Sequence, residues 1–144
     1  MIVNRQDRIP ISIAALNRFW GRVRSELKLG RRDATVCFVG EPEMARLNRE
    51  FRGKRKSTDV LSFPFAGNGN RASRHVDAKH YLGDIAISPA VARRNAKGFG
   101  RTVDEEIRVL ILHGALHLLG YDHETDDGEM EARETRLRKR LGLA

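Results

Sequence analysis

The segment that most limits the fold lies between Thr102 and Gly120. Thr102-Val103-Asp104-Glu105 has the form of a capping box, in which threonine and glutamate satisfy each other's orphaned backbone N–H groups and start a helix. From Val109 to Leu119 that helix is apolar almost all round: Val109, Leu110, Ile111, Leu112, Ala115, Leu116, Leu118 and Leu119. A helix with no polar stripe has no face to give to water, so it must run through the interior with other elements packed around it. Gly120 ends it. Two polar side chains interrupt the run, His113 and His117, and their spacing puts both on one face.

The elements around this helix follow from local patterns. Residues 2–5 have the form of a short strand, and Ser12 opens a helix with Leu16, Trp20, Val23 and Leu27 at helical spacing, closed by Gly30. Residues 34–39 read as a buried strand. Pro42 starts a helix with Met44, Leu47 and Phe51 as its apolar stripe, ending at Gly53. Val60–Phe65 reads as a strand near a sheet edge because of Pro64, and Leu82–Ser88 as another. Ser88-Pro89 opens a helix that stops by Gly98 or Gly100, and a last helix starts near Asp126 with Glu129–Arg133 and Glu134–Arg138 pairs. Asn and Gly fill the loop from Gly67, which leads to His75 and His80, histidines expected to be solvated. The expected architecture is α+β: a single domain over 1–144, with a mixed sheet of about four strands packed with helices around the buried helix.

The histidines carry the chemistry. His113 and His117 can bring two ring nitrogens to one ion at about 2.0–2.1 Å, and the turn after Gly120 delivers His123. Three imidazoles with an open fourth position make a catalytic rather than a structural zinc set, and two unpaired histidines among aliphatic neighbours would be costly to bury. The spacing equals that of the extended H-E-x-x-H-x-x-G-x-x-H motif, with Gly114 at the glutamate position. Glycine takes no proton, so peptide hydrolysis by that route is disabled. A zincin-like site is expected, with one Zn²⁺ per chain, though three imidazoles also suit nickel, copper and cobalt.

Charge points to the other partner. The chain has 27 Lys and Arg against 19 Asp and Glu, a net charge of +8, and seven of those acids fall between Asp122 and Glu134. The densest basic run, Arg46 to Lys56, holds six positive charges and one negative. This balance fits a polyanion such as nucleic acid, with Arg49, Lys54, Arg55 and Lys56 as candidates for contacts to its backbone; a solvated turn is the plain alternative for the last three. No apolar run is long enough to span a bilayer, and the N-terminal ten residues are too polar for a secretory core, so no membrane partner and a cytoplasmic location are expected. The single Cys37 cannot pair within the chain and is expected to be a small buried apolar group. There are nine Phe, Trp and Tyr residues, several of them in core stripes, so no clear stacking platform is expected.

Three segments resemble the YbeY family, the metal-dependent endoribonucleases of bacterial ribosomal-RNA maturation. His113-Gly114-Ala115-Leu116-His117-Leu118-Leu119-Gly120-Tyr121-Asp122-His123 is similar to its H-G-x-L-H-L-x-G-Y-D-H signature. The stretch from Asn48 to Pro64 is similar to N-x-x-[YF]-R-x-x-x-x-P-T-D-V-L-S-F-P, with Ser57 in place of proline, and Leu82–Ser88 to L-G-D-I-x-I-S. The resemblance implies that His113, His117 and His123 hold the metal and that Arg52 is the catalytic arginine beside it. Without the resemblance, Arg52 would read as a basic residue answering a helix dipole. Asp59 and Asp84 are candidates to orient imidazoles, and Asp122 to position His123 or cap its turn. The implied activity is zinc-dependent, single-strand-preferring cleavage in rRNA maturation and ribosome quality control, a zinc-activated water attacking the phosphodiester. The implied partners are ribosomal RNA, in particular small-subunit RNA, and the ribosome or its proteins. The alternatives are an RNA-binding assembly factor with a mainly structural metal, and a metal-dependent hydrolase of another substrate.

Overall fold

The computed structural model describes residues 1–54, 57–65, 78–122 and 124–143. Among the described residues, four strands and five α-helices follow one another as β1 (Ile2–Asn4), α1 (Ile13–Glu26), β2 (Asp33–Phe38), α2 (Glu41–Arg52), β3 (Val60–Pro64), β4 (Tyr81–Ile87), α3 (Pro89–Phe99), α4 (Val103–Leu118) and α5 (Glu129–Arg140). The sheet order is β1-β2-β4-β3, with the first three strands parallel and β3 antiparallel on β4. The α+β class and the four-strand mixed sheet are as the sequence leads one to expect, and Pro64 does lie on an edge strand. There its missing N–H breaks no inner ladder.

The apolar helix α4 runs through the core. Ile111, Leu112, Ala115 and Leu116 are essentially inaccessible and pack with Ile85 and Ile87 of β4, Val36 and Phe38 of β2, and Leu16, Phe19 and Val23 of α1. Each of the Ile, Leu, Val and Phe side chains among them contributes about 1.5–3 kcal/mol by leaving water. Both bonds of the Thr102–Glu105 capping box form. Ser12 and Ser88 cap α1 and α3 by accepting from the Ala15 and Val91 N–H groups.

The opposite face of the sheet is thinly covered. Only a small cluster forms there, Val39, Met44, Leu61 and Ala86, with Cys37, Leu47 and Phe63 partly buried against it. Two expectations therefore fail. Cys37 is half-buried on this face rather than in the core, with burial pushing its thiol up in pKa. Phe51, at the end of the α2 stripe, is 63% exposed because the sheet it would cover has run out at its edge strand.

Two glycines let backbones meet. At Gly83, φ is +141°, and a Cβ would stand 2.2 Å from the Phe63 carbonyl oxygen, so only glycine lets β4 run this close to β3. At Gly114 a Cβ would stand 2.7 Å from Ile85 Cγ2, so glycine is what seats α4 on the sheet. The Ser62 hydroxyl donates to the Gly114 carbonyl at 3.2 Å, tying the edge strand to the same point of the helix.

Candidate active site

The last turns of α4 emerge from the core beneath β3 and α5, where His113 and His117 are half-buried. Their Nε2 atoms face each other at 3.0 Å, with the rings edge to face. The other nitrogen of His113, Nδ1, lies 2.8 Å from Glu134 Oε1 on α5. An ionised carboxylate can only accept, so Nδ1 carries a proton, and in the neutral imidazole Nε2 then presents its lone pair. Burial works against ionisation of Glu134, but the His113 hydrogen bond and charge, with help from Arg138 and His117, outweigh it and hold the carboxyl below its ordinary pKa.

Two ring nitrogens this close repel unless a proton or a cation lies between them. Two nitrogens on one tetrahedral zinc stand about 3.3 Å apart, near the observed separation, and a carboxylate behind a ligating imidazole is the usual arrangement at such sites. The donor set fits a borderline-soft divalent ion. His123, the third predicted ligand, lies outside the described residues, and among the described residues no three donors gather into a metal-binding group. Asp122 caps the turn that leads there, its carboxylate accepting from the Glu124 N–H at 3.0 Å.

Arg52 stands across from the histidines. It is the last residue of α2, which stops at once because Gly53 takes φ +68°, the left-handed cap that satisfies the Arg49 and Asn48 carbonyls. Arg52, Thr58, Asp59, Ser62, His113 and His117 line one cleft of about 430 Å³, with Asp122 and Glu124 at its side. Arg52 is exposed and makes no ion pair among the described residues, so its guanidinium is available to a ligand.

The other predicted residues divide. Arg49 and Lys54 are exposed and do not line the cleft, while Arg55 and Lys56 lie outside the described residues. Neither predicted acid orients a described imidazole. Asp59 accepts from Asn95 at 3.3 Å, and Asp84 accepts from the Tyr81 hydroxyl on the thinly covered face, lining another cavity. The carboxylate on the imidazole is Glu134, for which sequence spacing alone offers only the i,i+4 pair with Arg138. A signal for it existed. Glu134 continues the buried Met130, Leu137 and Leu141 stripe of α5, where an acid needs a buried partner.

The fold and its central helix place the chain among small α+β domains with a mixed four-stranded sheet. The solution structure of TM1509 from Thermotoga maritima superposes with a TM-score of 0.65, at 27% identity, covering 98% of this chain and 89% of that one. The family described as Endoribonuclease YbeY matches residues 1–142. A Solibacter usitatus protein named Endoribonuclease YbeY is 46% identical over 129 residues, 90% of this chain and 79% of that protein. One of the same name from Koribacter versatilis is 43% identical over 143 residues, 99% and 86% of the two chains. The chain belongs to the YbeY family. Among the described residues no helix is long and apolar enough to cross a membrane.

Proposed function

We propose that this chain is a zinc-dependent endoribonuclease that cuts single-stranded RNA during ribosomal-RNA maturation and ribosome quality control. It acts in the cytoplasm, with small-subunit RNA and the ribosome or its proteins as partners. Its family and the shared name of its relatives support cleavage of RNA phosphodiester bonds. The observation that carries the mechanism is the facing pair of Nε2 atoms, 3.0 Å apart, backed by Glu134 and opposed by Arg52.

His113, His117 and His123 would hold the ion. When bound, zinc polarises a phosphoryl oxygen and makes water more acidic. Glu134 keeps the His113 proton on Nδ1, so that Nε2 remains a donor toward the site. Arg52, free of any competing carboxylate among the described residues, neutralises charge growing on the non-bridging phosphoryl oxygens. No side chain on α4 serves as a base where metallopeptidases have one. Gly114 holds that position, and its contact with Ile85 leaves no space for a larger residue. The net charge of +8 favours a polyanion over a peptide.

The test is cleavage of single-stranded RNA by purified wild type, His113→Ala and Arg52→Ala, with metal content measured for each. Wild type should carry about one ion per chain and cut. Arg52→Ala should keep the ion and lose about 10²–10³-fold in rate, the usual cost of one group that meets developing charge. His113→Ala should lose both. Cleavage that persists in both variants, or RNA binding without cleavage in wild type, would overturn the nuclease reading in favour of an RNA-binding assembly factor.

A further inference from the structure

We propose that edge strand β3 floors a groove for single-stranded RNA, and that Phe99 at one end of this groove stacks on the base of a nucleotide flanking the scissile phosphate. The inference rests on RNA being the substrate of the histidine site and adds where its bases go.

Three clefts share walls along β3. The first is lined by Phe51, Arg52, Leu61, Ser62, Phe63 and Pro64. Arg52, Leu61 and Ser62 are also walls of the histidine cleft. His113, Asp59 and Val60 of that cleft are in turn walls of a third, of about 390 Å³, which adds Phe99, Arg101, Glu106, Glu134 and Arg138. The three make one path from Phe51 past the histidines to Phe99. Its floor is a five-residue strand, about 16 Å long at 3.3 Å per residue, the scale of a few extended nucleotides.

An aromatic ring stands at each end. Phe51 and Phe99 are 63% and 66% exposed, and Phe51 rests edge-on against Phe63. A single exposed apolar side chain needs no explanation by itself. The place of Phe99 is what matters. The Arg101 guanidinium lies 4.9 Å from its ring centre, and Arg101 is itself fixed by a 2.9 Å ion pair to the buried Glu106. A held cation covers one part of the ring while most of the ring stays open beside the histidine site.

Most of the charges along the path are paired within the chain. Glu106 is neutralised by Arg101, and Glu134 is shared between His113 and Arg138, whose Nη2 lies 3.4 Å away. Asp59 is held by Asn95. Arg52 is the cation of this path with no ion pair among the described residues, while Arg101 and Arg138 are matched by Glu106 and Glu134 and offer guanidinium N–H groups rather than surplus charge, and Asp59, Asp122 and Glu124 also line the histidine cleft. A flat ring beside anchored guanidinium groups, continuous with a phosphodiester site, is the chemistry of sequence-tolerant base stacking.

The test uses a fluorescently labelled single-stranded RNA hexamer, its binding read by anisotropy before measurable cleavage and its cleavage rate read separately. Phe99→Ala should weaken binding about 5- to 150-fold, the range for loss of one stacked base, and raise KM more than it changes kcat. Phe99→Trp should restore binding, and Ile13→Ala, an exposed apolar residue on α1 outside the groove, should leave it unchanged. Hexamers with one base removed identify the partner. The position whose loss weakens wild type should cost nothing further in Phe99→Ala. Binding by Phe99→Ala equal to wild type, or abasic penalties identical in the two proteins, overturns the proposal even where wild type cuts RNA. A binding loss that follows Phe99 in a protein that does not cut supports it while the nuclease reading fails.

Discussion

Helix α4 has two ends built on opposite principles. At the first, the capping hydroxyl and the acids of the first turn have hydrogen-bond or ion-pair partners within the chain. Thr102 and Glu105 cap each other at 3.1 Å, Asp104 holds Arg108 at 2.6 Å, and Glu106, 3% exposed, holds Arg101 at 2.9 Å. At the second end two like groups face each other, the Nε2 atoms of His113 and His117, with Glu134 fixing which nitrogen of His113 keeps its proton. The first end is complete when the chain folds. The second brings two ring nitrogens face to face, with a carboxylate behind one of them. The contrast separates residues that hold the fold from residues that line the cleft, although both sets join carboxylates to bases beside one helix.

The sharpest way to break the comparison is to weaken one carboxylate at each end. Glu134→Gln should lower metal affinity about 10- to 100-fold, the usual cost of altering the group behind a ligating histidine, with little change in melting temperature. Glu106→Gln should do the reverse, lowering stability by about 1.5–3 kcal/mol through loss of a charged hydrogen bond while metal affinity stays within twofold. Metal titration and thermal melting of both variants check this. If Glu134→Gln melts early and binds metal normally, the carboxylate is a structural prop and the contrast collapses.

Gly114 tests the middle of the same helix. Alanine there would gain up to about 1 kcal/mol in helix propensity, but its Cβ would meet the buried Ile85 Cγ2 at 2.7 Å. Overpacking of that kind costs about 1–3 kcal/mol, so Gly114→Ala should lose about 1–2 kcal/mol in chemical denaturation. A gain in stability would show that α4 can shift and that glycine is not what seats it.

At the capped end, Thr102→Ala should cost about 1 kcal/mol and leave metal content untouched. Loss of metal in that variant would mean the two ends are mechanically coupled.

Much of this was legible in the chain because the signals were local. The apolar run of α4, the capping box, the serine caps before α1 and α3, and the edge position marked by Pro64 all depend on neighbours in sequence. The histidine pair was legible for the same reason, since i,i+4 spacing on a helix fixes proximity. What was missed needed the tertiary fold. Glu134 reaches His113 across 21 positions of chain, and its i,i+4 partner Arg138 offered a sufficient local explanation. Phe51 carries helical spacing with Met44 and Leu47, yet the sheet ends before covering it. Asp84 has the look of a site acid but turns to Tyr81 on the other face of the sheet. Periodicity tells which face of an element a residue shares, and nothing about how far the opposing element extends.

The smallest effect comes from an ion pair that resembles the closed end of α4 but lies in water. Glu41, at the start of α2, accepts from both terminal nitrogens of Arg94 at 2.9 and 2.6 Å and from the Ser57 hydroxyl at 2.9 Å, so it ties α2 to α3 and to the turn leading into β3. The Arg94 hydrogen bonds, then that of Ser57, hold its carboxyl down to about 2 against an ordinary 4.5. A depressed folded value means that the unfolded chain takes up the proton first as pH falls. The contribution of Glu41 to stability is therefore full above the ordinary carboxylate range, fades from about 4.5 downward, and is gone below about 2. In urea unfolding, wild type should exceed Glu41→Gln by a small, constant margin near neutrality, and the margin should narrow between pH 4.5 and 2. Salt should shrink it too, since exposed pairs are screened. A margin that stays constant down to pH 2 would mean that Glu41 acts through packing or neutral hydrogen bonds rather than charge. The pair would then teach nothing about how the buried Glu106 and Arg101 close the first end of α4.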